Sequence, residues 1–303
     1  MTKKMLFKVL KLFGFTVIVL LLILVIGITA ILLFENNNFS DIDGIEKREF
    51  SCYRGELEIR GTVFMPIDNN NLPIAVVCHE FMTNRLFSYP YAMALAKCGY
   101  AAFCFDFCGG GILSGSDGDS RDMSVLTEKE DLKAVINFAA IQDYVDNRPL
   151  LLMGCSQGGL VAALTAAELQ AKIRGLILQY PALSIPDAAR KGEMLWMHFD
   201  PNNIPEEMHS GPMLIGKQYA ADVMNIDTMQ AITSYTGPVM IIHGDQDTLV
   251  DISGSQKAAI SYESAGANVS LKIISGGGHI FVKPKEIKEA INLVSKFAEK
   301  LGE

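Results

Sequence analysis

Residues 150–167, LLLMGCSQGGLVAALTAA, constrain the fold more than any other stretch of the chain. The apolar run 150–153 predicts a buried strand, and the small residues from Gly158 onwards predict a helix that lies close to it. Gly154 and Gly158 have no Cβ, so the chain can reverse sharply between them and present the hydroxyl of Ser156 at the start of the helix. The stretch therefore predicts a strand, a nucleophilic serine and a helix. The alternative is a tight-packing turn in which the serine has no role.

A serine hydroxyl needs a base within hydrogen-bond reach, and the base needs an acid that orients it. His279 follows three glycines after the last predicted strand, where a flexible turn could place an imidazole over the sheet, so we predict that it is the base. Asp247, in HGDQDTLVD, is the predicted acid because it lies beyond the end of a strand. Asp245 and Asp251 are its rivals, and a loop histidine without a role is the alternative for His279.

Two backbone N–H groups are the predicted donors to an oxyanion. Gln157 begins the predicted helix, where backbone N–H groups lack partners within the helix. The second donor should come from the loop after an early strand, and VVCHEFMTN, residues 76–84, places Phe81 there. We expect His79 to hold this loop by hydrogen bonding rather than to perform chemistry. The alternative for the whole stretch is an ordinary strand exit.

Short apolar runs alternate with helical patterns along most of the chain, as is typical of a parallel sheet with helices on its faces. An antiparallel hairpin within residues 50–65 precedes them, and an amphipathic helix that begins at Pro284 follows them. The predicted parallel strands are residues 74–78, 101–105, 150–153, 176–178, 239–242 and 269–274.

The alternation breaks at residues 182–235, a length too great for an ordinary loop, so we predict an inserted cap with its own elements. Methionines are concentrated in it, and their flexible thioethers adapt to irregular apolar partners. We predict that Trp196, Met197 and Phe199 bind substrate from the cap. The alternative is that MLWMHF is the core-facing stripe of a cap element.

Residues 12–34 contain no charged side chain, and a helix of this length would cover the hydrocarbon core of a bilayer. Four lysines precede the run, so the positive-inside rule predicts a cytoplasmic amino terminus and an extracytoplasmic domain. A cleaved signal peptide is the alternative, but its apolar region would be shorter. The predicted organisation is a membrane anchor at 1–34, a linker at 35–49 and the folded domain at 50–303.

The net charge and the cysteine spacing of the chain limit which molecules and metal ions it could bind. The residues after position 34 include 22 basic and 34 acidic side chains, a net charge of −12, which argues against nucleic acid and anionic headgroups as partners. None of the six cysteines forms a Cys-x-x-Cys pair, so we predict no metal site and expect most of them to pack as small apolar side chains. Cys104 and Cys108 are close enough in sequence to pair.

The chain from about residue 50 to 301 resembles the α/β-hydrolase family through GCSQGG, GDQDTLV and GGGHIF, which occur in the order Ser156, Asp247, His279. Within that family it is similar to bacterial feruloyl or cinnamoyl esterases and to serine aminopeptidase-like and monoacylglycerol lipase-like hydrolases. The resemblance implies an α/β-hydrolase fold with a cap over an acyl or aryl pocket. It implies a serine esterase that acts on small-molecule esters without a metal or organic cofactor.

The sequence departs from that pattern at two positions. Glu80 stands where the family usually has glycine, so a carboxyl group lies beside the predicted oxyanion site and must point away or be neutralised. Asp251 replaces the proline usual after DTLV. A peptidase or monoacylglycerol lipase with the same triad is the alternative enzyme, and a hydrolase-like binding domain without activity is the alternative outside enzymes.

Overall fold

The computed structural model describes residues 44–67, 69–146 and 148–302. The strands are, in chain order, β1 (Ile45–Arg54), β2 (Leu57–Pro66), β3 (Ile74–Cys78), β4 (Ala101–Phe105), β5 (Leu150–Cys155), β6 (Ile173–Gln179), β7 (Glu193–Met194), β8 (Met197–His198), β9 (Glu207–Ser210), β10 (Met213–Gly216), β11 (Val239–Gly244) and β12 (Val269–Ile274). The helices are α1 (Tyr89–Lys97), α2 (Val125–Ala140), α3 (Gln157–Leu169), α4 (Ile185–Lys191), α5 (Gln218–Ala221), α6 (Thr228–Ile232), α7 (Ser253–Ser264) and α8 (Pro284–Gly302).

One sheet of eight strands organises these elements, in the order β1-β2-β4-β3-β5-β6-β11-β12. β2 is antiparallel to both of its neighbours, and the strands from β4 to β12 in that order are parallel to one another. The mostly parallel sheet predicted from the apolar runs is confirmed. The first two strands form the predicted hairpin, with Arg54 opposite Leu57 and a turn at residues 55–56.

Both faces of the sheet are buried because its side chains alternate between two apolar clusters. Val76 and Leu152, opposite each other on β3 and β5, belong to the cluster that α2, α3 and α7 cover. The next pair, Val77 and Met153, belongs to the cluster on the other face, which α1 and α8 cover. The near-continuous apolar strands thus reflect burial on two sides.

The cap segment, residues 182–235, lies between β6 and β11 and contains α4, the β7–β8 and β9–β10 hairpins, α5 and α6. Its buried side chains, among them Met194, Met208 and Tyr219, belong to the same cluster as Val76. The cap segment therefore packs over the face of the sheet that α2, α3 and α7 cover.

The predicted membrane anchor, residues 12–34, lies outside the described residues. Among the residues that are described, no helix is long and apolar enough to span a bilayer. The six cysteines are all free, so Cys104 and Cys108 do not form the disulfide that their spacing allowed.

Two glycines let β5, α3 and the end of β3 approach one another closely. A Cβ on Gly154 would lie 2.1 Å from the carbonyl oxygen of Gly158. A Cβ on Gly158 would lie 2.4 Å from the carbonyl oxygen of His79 and 2.8 Å from that of Cys78. Both obstacles are backbone atoms, which cannot move aside as a flexible side chain would. The start of α3 and the loop after β3 are consequently in direct contact.

We predict that Gly158→Ala lowers the free energy of unfolding by about 1–3 kcal/mol, because the new methyl group would overlap the backbone at the end of β3. Equilibrium unfolding in urea measures the change. Gly254→Ala is the matched control: it also lies near the start of a helix, but a Cβ there would meet nothing within 4 Å. Unfolding curves for Gly158→Ala that coincide with those of the control would contradict this close packing.

Candidate active site

Ser156 lies at the sharp turn between β5 and α3. Its backbone angles are φ 50° and ψ −118°, a left-handed conformation that residues with a side chain rarely adopt. Hydrogen bonds hold the turn on both sides, since its N–H donates to Gln179 O at 3.0 Å and its carbonyl accepts from the N–H of Ala182 at 2.9 Å. Strained backbone of this kind is concentrated at functional sites. The local geometry matches the strand, serine and helix predicted from GCSQG.

The three residues predicted to form a triad lie in one hydrogen-bonded chain. The Oγ atom of Ser156 is 2.8 Å from Nε2 of His279. The Nδ1 atom of His279 is 2.7 Å from Oδ2 of Asp247 and donates to that carboxylate. With the proton on Nδ1, Nε2 is free to accept the serine proton. The arrangement can therefore activate the hydroxyl as a nucleophile by general-base catalysis.

Four donors hold the carboxylate of Asp247. Oδ1 accepts from the backbone N–H groups of Leu249 and Val250, both at 2.9 Å. Oδ2 accepts from His279 and, at 3.0 Å, from Nε2 of His243. Burial alone would raise the pKa of Asp247, but the hydrogen bonds from the two histidines outweigh it and the pKa lies below its ordinary value. Asp247 is therefore ionised at neutral pH.

Sequence reasoning assigned no role to His243, although it lies four residues before Asp247. It is fully buried, its Nδ1 lies 2.7 Å from the hydroxyl of Ser255, and its Nε2 also contacts Val250 O at 3.1 Å. Because both neighbours of Nε2 are acceptors, that nitrogen carries a proton. The signal in the sequence was the HGDQD spacing, which places a strand-end histidine over the loop that follows.

The carboxylates of the rival acids do not form hydrogen bonds with His279. The carboxylate of Asp245 accepts from the N–H of Gly276 at 2.7 Å, which joins two loops. Asp251 accepts from the N–H of Ser253 at 2.7 Å, at the start of α7. Both carboxylates bond to backbone in turns, as short acidic side chains commonly do.

His79 fixes the loop that carries Phe81. Nε2 of His79 accepts from the N–H of Phe107 at 3.1 Å, so the ring proton is on Nδ1 and is donated to Glu80 O at 2.7 Å. Burial lowers the pKa of His79, which is consistent with this neutral form. The loop lies against the start of α3, where a Cβ on Gly158 would touch His79 O. This contact brings the segments of Phe81 and Gln157 together.

The N–H groups of Phe81 and Gln157 have no hydrogen-bond acceptor among residues 44–67, 69–146 and 148–302. Gln157 is the first residue of α3, and Phe81 lies in the turn after β3. Unpaired N–H groups beside a nucleophile are able to bind a developing oxyanion. Their assignment as the oxyanion donors stays a prediction.

Glu80 is buried and its carboxylate is bound by two hydroxyl groups. Tyr180 donates to Oε1 at 2.8 Å, and Thr83 donates to Oε2 at 3.0 Å. The ring of Tyr180 also contacts that of His279, with centroids 4.9 Å apart. These bonds give the carboxylate internal partners, so the substitution of the usual glycine is accommodated by a tyrosine 100 residues later in the chain. Sequence reasoning could not identify that partner.

The three predicted substrate-binding residues of the cap segment differ in exposure. Trp196 is 47% exposed, whereas Met197 is 2% exposed and belongs to the apolar core. Phe199 is partly buried against the same core. A Cβ on Gly211 would lie 3.3 Å from the Trp196 ring and 3.5 Å from the end of Met82, so the indole lies near the loop after β3. For Met197 this placement favours the alternative of a core-facing stripe.

Solved structures with the same fold include two structures of the protein Est1E. The structure of Est1E from Butyrivibrio proteoclasticus with ferulic acid bound is 28% identical, covers 83% of this chain and 98% of that one, and has a TM-score of 0.76. An esterase of Pyrococcus furiosus, 19% identical with a TM-score of 0.63, covers 84% of this chain and 93% of its own, and shares the fold. The predicted α/β-hydrolase fold is confirmed.

Two proteins and one family model are similar to the chain in sequence. An uncharacterized 31.7 kDa protein of Escherichia coli is 32% identical over 134 residues, which is 44% of this chain and 45% of that protein, so the chain spans less than half the length of that relative. A monoacylglycerol lipase of Mycolicibacterium smegmatis is 21% identical over 258 residues, 77% of this chain and 90% of the lipase. The sequence model of the prolyl oligopeptidase family matches residues 87–303, well over half of the chain. The protein therefore belongs to the prolyl oligopeptidase family and has the α/β-hydrolase fold.

Proposed function

We propose that the protein hydrolyses carboxylic esters of small molecules, with Ser156 as nucleophile, His279 as general base and Asp247 as the residue that orients the imidazole. The observation that carries the proposal is the hydrogen-bonded chain from Ser156 Oγ through His279 to Asp247, with distances of 2.8 and 2.7 Å. Likeness to Est1E, which binds ferulic acid, supports an ester of an aromatic acid as substrate.

The first half of the reaction transfers the acyl group to the enzyme. His279 Nε2 takes the proton of Ser156 while Oγ attacks the ester carbonyl, and Phe81 and Gln157 donate their N–H groups to the oxyanion. The ionised carboxylate of Asp247 stabilises the imidazolium that forms. The imidazolium then gives its proton to the leaving alcohol as the ester bond breaks, which leaves an acyl-serine.

Water completes the cycle. His279 takes a proton from a water molecule, the resulting hydroxide adds to the acyl-serine, and the second oxyanion occupies the same N–H groups. Collapse of this intermediate releases the carboxylic acid, and the imidazolium returns its proton to Ser156. Water is thus the second substrate, and the same histidine and N–H groups serve both halves of the reaction.

Exposed apolar side chains on the loops that follow the strands support an ester with a sizeable apolar group. These loops meet at the carboxyl edge of the parallel strands, where Ser156 also lies. Large apolar side chains are otherwise mostly buried, so a set at one edge favours an apolar ligand. They are Leu86, Ile112, Leu113, Trp196, Leu249 and Val282. The same feature, with the lipase relative, favours a monoacylglycerol as the second candidate substrate.

The Ser156→Ala variant tests the mechanism. We expect kcat/KM for aryl and acyl esters to fall by several orders of magnitude while the melting temperature stays unchanged, because only the nucleophile is lost. Ser264→Ala, an exposed serine at the end of α7, is the control and should retain full activity. Undiminished turnover by Ser156→Ala would refute the mechanism.

A panel of feruloyl esters, monoacylglycerols and aminoacyl amides separates esterase, lipase and peptidase activity by their relative kcat/KM values.

Substitution of Trp196 tests whether the cap segment forms part of the substrate site. If the exposed indole contacts the substrate, Trp196→Ala should cost about 1–3 kcal/mol in kcat/KM for bulky aryl esters and spare both acetyl esters and the melting temperature. Tyr53→Ala, at a 63% exposed aromatic residue on β1, is the control for losing an exposed ring. Equal losses on aryl and acetyl esters, with a lowered melting temperature, would instead assign Trp196 to the packing of the cap segment.

We also propose that residues 12–34 anchor the protein in the cell membrane with the catalytic domain outside. This proposal rests on the uncharged apolar run and the four lysines before it. Protease added to intact cells should digest the domain while the first eleven residues stay protected. Protection of the domain until the cells are lysed would reverse the proposed orientation.

A further inference from the structure

Tyr219, in the cap segment, contacts both residues that are the candidate oxyanion donors. It lies on α5 and is 1% exposed. Its hydroxyl donates to the side-chain oxygen Oε1 of Gln157 at 2.5 Å. Its ring stacks on that of Phe81, with centroids 5.5 Å apart and an angle of 28° between the planes. A single side chain of the cap segment thus joins the start of α3 to the loop after β3.

The amide of Gln157 is held from its other side as well. Its Nε2 atom donates to Oε2 of Glu128 at 2.8 Å, and Glu128 is a buried residue of α2. Burial raises the pKa of Glu128 well above its ordinary value, which favours the neutral form of the carboxyl group. Nε2 is bound to Glu128 and Oε1 to Tyr219, so both ends of the amide have a partner. The first residue of α3 is therefore fixed through its side chain.

These side-chain contacts matter because the backbone N–H groups of the same two residues are the candidate oxyanion donors. The Phe81 and Gln157 side chains are bound, whereas their N–H groups have no acceptor among the described residues. Oxyanion stabilisation depends on donors that are fixed before the charge develops, because reorientation during the reaction costs free energy. Side-chain bonds that hold each residue in place meet this requirement.

We propose that Tyr219 is a positioning residue that sets the two oxyanion donors and so makes catalysis depend on the docked cap segment. The proposal rests on the ester-hydrolase function proposed above. Tyr219 acts through Gln157 and Phe81 and does not itself touch the reacting atoms. Removing its hydroxyl should weaken transition-state stabilisation more than substrate binding, and so lower kcat more than it raises KM.

We expect the cap segment to stay attached when this hydroxyl is removed, because other contacts hold it. Ser124 donates to Asp222 Oδ2 at 2.5 Å, and Ser120 donates to Leu214 O at 2.6 Å. Tyr219→Phe also retains the ring that stacks on Phe81. Loss of the hydroxyl thus separates the positioning of Gln157 from the docking of the cap segment.

Steady-state kinetics of Tyr219→Phe test the proposal. We expect kcat for an aryl ester to fall by about 5- to 20-fold with KM changed by less than about twofold, a smaller loss than removal of an oxyanion donor itself. Tyr235→Phe is the matched control: Tyr235 is also 1% exposed and in the same cluster, but within the described part of the chain its hydroxyl forms hydrogen bonds only with Ile173 O and Pro238 O, at 3.4 and 3.5 Å. Its kcat should equal that of the native protein.

A double-mutant cycle with Gln157→Leu shows whether Tyr219 acts through the amide. Leucine retains the backbone N–H but cannot accept from Tyr219, so Tyr219→Phe should cause little further loss in the Gln157→Leu background. Equal effects of Tyr219→Phe in both backgrounds would overturn the proposed route through Gln157. So would a native kcat for Tyr219→Phe, even with a lowered melting temperature, since that result describes packing alone.

The failure of each proposal has a different signature. If the native protein hydrolyses esters, Ser156→Ala does not and Tyr219→Phe equals the control, the positioning role is wrong and the hydrolase function stands. If the native protein neither hydrolyses esters nor reacts with a fluorophosphonate at Ser156, the proposed function fails and the role of Tyr219 fails with it.

Discussion

The strained backbone of Ser156 is the constraint on which the rest of the site depends. A positive φ at a residue with a side chain is maintained only where its surroundings determine it, and here the hydrogen bonds to Gln179 and Ala182 do so. The conformation requires glycine on both sides, because β5, α3 and the end of β3 meet at backbone contact distance. The same close approach that strains the serine brings the loop of Phe81 to the start of α3.

Around that turn, hydrogen bonds from neighbouring residues hold the groups of the candidate site in place. Asp247 is held by two backbone N–H groups and by His243, and His243 in turn by Ser255. His79 holds the loop after β3 through two hydrogen bonds of its ring. Glu80 is satisfied within the protein by Tyr180 and Thr83. The polar groups around the serine and the carboxylate behind His279 are thus held in place before any reaction, which is how such sites lower a barrier.

The sequence was sufficient to predict the sheet and the order of the triad residues, because these signals are local. Apolar runs indicate buried strands, and the carboxyl ends of parallel strands meet at one edge, so Ser156, Asp247 and His279 were expected together. Strand ends were less predictable: β5 and β6 extend to Cys155 and Gln179 because they pair along that length. Pairing across the sheet, rather than local composition, decides where a strand stops.

Contacts between distant segments could not be predicted from the sequence. Tyr180 lies 100 residues from Glu80, and Tyr219 lies 62 residues from Gln157. The sequence around each tyrosine does not identify the residue that it contacts, because each contact depends on how the cap segment and the loops fold over the sheet. The exposure of Trp196 beside the burial of Met197 likewise follows from the β7–β8 hairpin, since Trp196 lies in its turn and Met197 pairs with the buried Met194.

A crystal structure of the protein after reaction with an aryl phosphonate fluoride would test the central claim most directly. The adduct carries a tetrahedral phosphorus whose oxygen occupies the place of the oxyanion. The account predicts a covalent bond to Ser156 Oγ and a phosphonyl oxygen about 2.7–3.1 Å from the backbone nitrogens of both Phe81 and Gln157. An unmodified Ser156, or a phosphonyl oxygen bound to neither nitrogen, would contradict it.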